Sequence, residues 1–97
     1  MSPELVARLA DVGIQVLAEA RGHYLFGRDE TVALVERTET GCGSIGGTGL
    51  MTEHGLSFLV WRENRAFLAA KGMEVPAAET QVAAIRRFSE DLQAALR

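Results

Sequence analysis

The chain contains a single cysteine, so no internal disulfide can form and a disulfide-stapled scaffold is excluded. Proline occurs twice and aromatics make up only 6% of residues, so neither a Pro-rich recognition tract nor an aromatic-dense binding surface is present. No apolar run approaches the roughly 20 residues that a spanning helix needs, and no membrane association is expected. Charge of neither sign dominates: ten Lys and Arg stand against thirteen Asp and Glu, a formal net charge of -3 with a pI near 5.3. Such a balance gives no field that would draw nucleic acid. The basic residues are scattered (Arg8, Arg21, Arg28, Arg37, Arg62, Arg65), and the Arg86–Arg87 pair meets Glu90 and Asp91 four residues on, the spacing of neighbours on a helix surface. The start, Met-Ser-Pro-Glu-Leu, lacks the basic and apolar segments of a signal peptide, which makes the cytoplasm the expected compartment.

What is present fits one small α+β domain. A length of 97 residues supports one hydrophobic core, and 47% hydrophobic with 24% charged residues is a globular composition. Ser2 is a suitable N-cap, Pro3 suits the first helical position, and Leu5, Val6, Leu9 and Val12 recur at helical spacing until Gly13. Ile14 to Ala20 reads as a strand, because Ile14, Val16 and Ala18 alternate with Gln15 and Glu19, although Val16, Leu17 and Ala20 also continue the helical phase. Strands are then expected over His23–Gly27, Thr31–Glu39, Ile45–Thr52, Leu56–Glu63 and Ala66–Lys71, joined by turns at Arg21-Gly22, Arg28-Asp29-Glu30, Glu53-His54-Gly55 and Asn64-Arg65. Short connections favour an antiparallel meander of five or six strands. A long C-terminal helix opens near Pro76 and carries one apolar stripe: Ala78, Val82, Ile85, Phe88, Leu92 and Leu96.

The sheet is apolar on both sides. On Leu56–Glu63 one face presents Leu56, Phe58 and Val60 and the other Leu59 and Trp61; Leu68 likewise opposes Phe67. One long helix covers one face of a small sheet, and an exposed apolar surface of a few hundred Å² marks an association site. The expected interface therefore comprises Leu59, Trp61 and Phe67, taken up by a second copy or another protein.

Chemistry-bearing motifs are sparse. Gly41, Gly43 and Gly46 spell G-x-G-x-x-G, but no helix fits before the next strand, so the dinucleotide-binding reading fails. No Gly-Lys-Ser/Thr follows, which removes the P-loop, and no further cofactor motif is found. What survives is an anion-binding nest of loop amides at Gly41, Gly43 and Gly46, assisted by Ser44 and Thr48. Cys42, flanked by glycines, is a candidate nucleophile if His54 or His23 can serve as its base. His23, His54 and Cys42 match no zinc-ligand spacing, so no metal site is assigned. The leading expectation is a small interaction or regulatory module that forms a homodimer. The alternatives are a small-ligand or anion binder using Gly41–Gly49, and then a thiol enzyme using Cys42.

Overall fold

A computed structural model describes all 97 residues, Met1–Arg97. Helix α1 (Pro3–Asp11) is followed by seven strands, β1 (Gln15–Ala20), β2 (His23–Arg28), β3 (Thr31–Thr38), β4 (Gly41–Thr52), β5 (Gly55–Arg62), β6 (Arg65–Ala70) and β7 (Met73–Pro76), and then by helix α2 (Glu79–Leu96). The strands form one antiparallel sheet in chain order. The α+β architecture is as expected, with seven strands where five or six were anticipated.

The local chemistry explains most boundaries. The Ser2 hydroxyl accepts from the Leu5 amide at 3.2 Å and starts α1. Gly13, at φ +75, ends it in a left-handed conformation that costs glycine little. Residues 15–20 are a strand, but a register shift between Val16 and Ala18 breaks the expected alternation there and leaves β1 exposed throughout. The β5–β6 hairpin turns through Glu63 and Asn64, both at positive φ (51° and 67°), the geometry of a tight two-residue turn.

Two boundaries differ from expectation. Strand β4 begins at Gly41 rather than Ile45, so the glycine run is strand and not loop. The last helix begins at Glu79, because Met73–Pro76 pair with β6 as a seventh strand, Phe67 opposite Pro76. Proline is tolerated there because β7 is an edge strand.

Both helices lie on the same side of the sheet. Leu5 and Leu9 of α1 and Phe88, Leu92 and Ala95 of α2 share one buried cluster with Ile14, Tyr24, Phe26, Ala33 and Val35. A smaller cluster joins Ile85 to Leu50 and Leu68, with Leu59 packed against it. The helices are tied at two points. Arg8 donates to the Arg97 carbonyl at 2.7 Å. Arg28 donates to the Val12 carbonyl at the end of α1 (3.0 Å) and to Asp91 of α2 (2.7 Å), with its guanidinium 5.6 Å from the centre of the Phe88 ring. Asp91 is thus held by Arg28, and the Arg87–Asp91 pairing suggested by their spacing is not formed.

Candidate functional site

Residues paired across an antiparallel ladder share a face, so the ladders assign the paired strand residues to one side or the other. Tyr24 opposite Val35, Thr31 opposite Leu50 and Leu59 opposite Leu68 lie on the helix side. Leu25 opposite Leu34, Val32 opposite Gly49, and Val60 opposite Phe67 lie on the other. No element of the chain covers that second, open face.

This reverses the expected covering of β5. Leu59 and Trp61 are on the helix side: Leu59 is half-buried against Ile85 and its neighbours, while Trp61 stands beyond the helix and is 54% exposed. The uncovered face is the one carrying Leu56, Phe58, Val60 and Phe67. Of the expected interface residues, only Phe67 is there. The reason is that α1, too short to form a second layer, packs beside α2 and not behind the sheet.

The open face combines apolar side chains with glycines at three close approaches. A Cβ on Gly27 would strike the Leu17 side chain, one on Gly47 would sit 2.8 Å from the Phe58 ring, and one on Gly49 would strike the Ser57 carbonyl oxygen and lie 2.8 Å from Phe58 Cα. Leu17 and Phe58 thus fold over glycine, and Val32, paired with Gly27 on one side and Gly49 on the other, is only 1% exposed. Around this closed centre Leu25, Leu34, Leu56, Val60 and Phe67 are half-buried, and Leu17 and Met51 are exposed. Charge is confined to strand ends and to the β5–β7 side. Arg62 and Glu74 form a two-pronged pair (2.6 and 2.9 Å) that strides over β6, and Arg65 lies 5.9 Å from the Phe67 ring centre. Hydrogen bonding to Arg62 holds the Glu74 carboxyl below its ordinary value and raises the guanidinium in turn. Glu36, opposite His23, sits at the same sheet end as Arg62 and Arg65.

A second feature lies within the sheet. Strand β4 pairs with β3 from Gly41 to Leu50 but with β5 only from Gly49 to Thr52, opposite Phe58 to Gly55. Beyond that point both strands continue, β4 toward Gly41 and β5 toward Arg62, without pairing to each other. The sheet therefore parts into a notch. On its helix side a cavity of about 230 Å³ is lined by Thr48, Leu59, Trp61, Val82, Ser89 and Gln93 among others. Gly41, Gly43, Ser44, Gly46 and Thr48, expected as a nest of loop amides, are instead residues of the strand that forms one wall, with Ser44 and Gly46 exposed.

The candidate nucleophile is not assembled with a base. Cys42 packs against the main buried cluster on the helix side, whereas His23, paired with Glu36, faces the open side. His54 follows the far end of β4, which at about 3.3 Å per residue puts it on the order of 30 Å away. Burial pushes the Cys42 thiol up from 9.0, partly opposed by the N-terminal amino group, so the reactive thiolate is disfavoured. His54 stands 3.6 Å from Glu53 in an exposed turn, and no three His, Cys, Asp or Glu side chains gather as a metal site.

A groove of about 770 Å³ runs between the β2–β3 turn and α2 and is lined by Arg28, Asp29, Glu30, Arg87 and Asp91 among others. Its Arg28–Asp91 pair already serves to fasten α2 to the sheet. No helix is long and apolar enough to cross a membrane. Comparison with protein-family models, with curated proteins and with solved structures finds no match to this chain.

Proposed function

We propose that the protein is a small interaction module that forms a homodimer through the open face of its sheet, with a second copy of the chain as the occupant. The observation that carries this is an apolar sheet face left bare while both helices crowd onto the other side. Size supports it. Six gaps of about 4.8 Å and strands about 20 Å long give a face on the order of 600 Å², the lower range of what each partner buries in a stable interface of about 1,200–2,000 Å² in total. The charges support it too. A two-fold axis running along the central strand β4 lays β3 of one copy against β5 of the other and keeps like sheet ends together. Glu36 of one copy then approaches the end that holds Arg62 and Arg65 of the other, while Leu34 and Leu25 oppose the strands bearing Val60 and Phe67.

Sedimentation equilibrium of the purified chain over 1–100 µM tests this. The expected result is a reversible dimer, weakened at least tenfold by Phe67→Glu and by Glu36→Arg, with the Glu36→Arg/Arg65→Glu double change restoring it. A monomer throughout the range would overturn the proposal. So would a dimer indifferent to all of these changes, provided that unfolding curves show each variant folded.

A further inference from the structure

Helix α2 leaves one corner of its own side of the sheet open. It lies over β3 and β4 and starts only at Glu79, so its first turn borders, without covering, the corner where the β4–β5 hairpin meets β6 and β7. There the ladders put Thr52, Ser57, Leu68, Ala70, Met73 and Val75 on the helix side. With Gln81 of α2 and with Glu53 and His54 of the hairpin turn, they line a cavity of about 300 Å³. Met73 and Val75 are exposed, so part of its apolar wall faces water.

Ser57, only 4% exposed, brings an unused acceptor to this cavity. Its Oγ lies 3.0 Å from Thr52 Oγ1, which also accepts from the His54 amide at 3.2 Å. Thr52 Oγ1 is 3.2 Å from the Gly55 carbonyl oxygen, whereas Ser57 Oγ is 3.5 Å from it. The shorter contacts set the order of protons: Thr52 donates to Gly55, and Ser57 donates to Thr52. Thr52 is then saturated, and Ser57 accepts from no donor. A buried acceptor left without a donor is unfavourable, so its complement is an N–H or O–H brought by a ligand. Charge points the same way. Glu53 is the one carboxylate among the lining residues, and no Lys or Arg is among them; Lys71, in the β6–β7 turn, does not line the cavity.

We propose that this cavity binds a compact primary amine, an apolar body of one ring ended by an ammonium group. The body lies against Leu68, Met73 and Val75, where the Met73 thioether favours an aromatic ring. The ammonium donates to Ser57 Oγ and stands in the field of the Glu53 carboxylate. Ligand cavities run from about 300 to 1,000 Å³, so this one admits a ring with a short chain and little more. It lies on the other side of the sheet from the proposed dimer face, and either proposal can fail alone.

Phenethylamine, phenylethanol and ethylbenzene share one body and end in an ammonium, a neutral donor and no polar group. Each is titrated into the nitrogen-15-labelled full chain, with amide shifts as the readout. Phenethylamine should give saturable shifts centred on Ser57, Ala70 and Met73. Phenylethanol should bind at least threefold more weakly, and ethylbenzene at least tenfold. Glu53→Gln should bring the amine within twofold of the alcohol and leave the alcohol unchanged. Ser57→Ala should weaken amine and alcohol at least fivefold and spare ethylbenzene. Should Ser57→Ala not fold, Val75→Trp decides: placed at an exposed position, it fills the cavity and should abolish binding of all three in a protein that unfolds like the wild type. The proposal is overturned if no saturable shift appears up to about 20 mM amine, or if the amine binds no better than ethylbenzene. Amine binding that survives Val75→Trp, or that shifts amides elsewhere, would overturn it as well.

Discussion

Gly49 and Gly46 stand three residues apart in one strand, neither at positive φ, and replacing each by alanine should have opposite effects. A Cβ on Gly49 meets backbone, the Ser57 carbonyl oxygen and Phe58 Cα, which cannot rotate away as a side chain would. Relief requires β4 and β5 to separate at the last pair of their short ladder. Overpacking typically costs about 1–3 kcal/mol, and rigid neighbours put this site at the upper end. Reduced entropy of the unfolded chain returns about 0.4–1 kcal/mol, which leaves a net loss of roughly 2 kcal/mol. At about 4–8 °C per kcal/mol for a domain of this size, Gly49→Ala should melt roughly 8–16 °C below the wild type. At Gly46 the nearest atom to a new Cβ is 3.5 Å away, an ordinary contact, so Gly46→Ala keeps the entropic gain and should melt a few degrees higher. Urea and thermal unfolding followed by circular dichroism measure both. If Gly49→Ala lies within about 0.5 kcal/mol of the wild type, or both variants lose stability equally, the close approach of β4 to β5 is wrong.

Three further outcomes follow from single contacts. Helix α2 has half a capping box: the Ala78 amide donates to Gln81 Oε1 at 2.8 Å, but Ala78 has no side-chain oxygen to return the bond. Ala78→Ser should therefore raise stability by about 0.5–1 kcal/mol, read from the urea midpoint at unchanged slope. Arg28→Met keeps the stem over Phe88 but removes the bonds to Val12 and Asp91; partly exposed, these should cost about 1–2 kcal/mol, and a loss that vanishes in Asp91→Asn would assign it to the ion pair. Cys42 should alkylate with iodoacetamide more slowly than free cysteine at pH 8, because its folded thiol titrates above 9.0. The sign for stability follows from the same shift: the contribution is complete below pH 9 and is lost as pH rises through the folded value.

The sequence was most readable where one residue decides the geometry. Ser2 and Pro3 start α1, Gly13 ends it, and Gly55 at φ +94 closes the β4–β5 hairpin. The α2 stripe was equally plain, with Ile85, Phe88 and Leu92 all buried. Periodicity failed where it carries no information about the partner. Alternation along Leu56–Glu63 separates Phe58 from Leu59, but both faces are apolar, so which one receives the helices depends on where α1 and α2 meet. Met73–Pro76 offers no such signal, because a four-residue edge strand ending in proline has no period to detect.

The glycine run shows why composition was a poor guide to β4. Five of the ten glycines fall between Gly41 and Gly49, and glycine is uncommon in strand interiors, so a loop was the natural expectation. In the structure each conspicuous glycine of this stretch answers a neighbour in three dimensions. Gly47 lies under the Phe58 ring, Gly49 against the β5 backbone, and Gly43 beside the Glu36 carboxylate. A loop would leave those glycines free to vary, whereas this strand requires small residues at fixed points. The same requirement explains how the sheet can part: held tightly at Gly49, β4 follows β3 while β5 follows β6, and the backbone groups between them are left without partners in the chain. The close contact at Gly49 and the parting of β4 from β5 beyond it are therefore linked, and a substitution that loosens the first should widen the second.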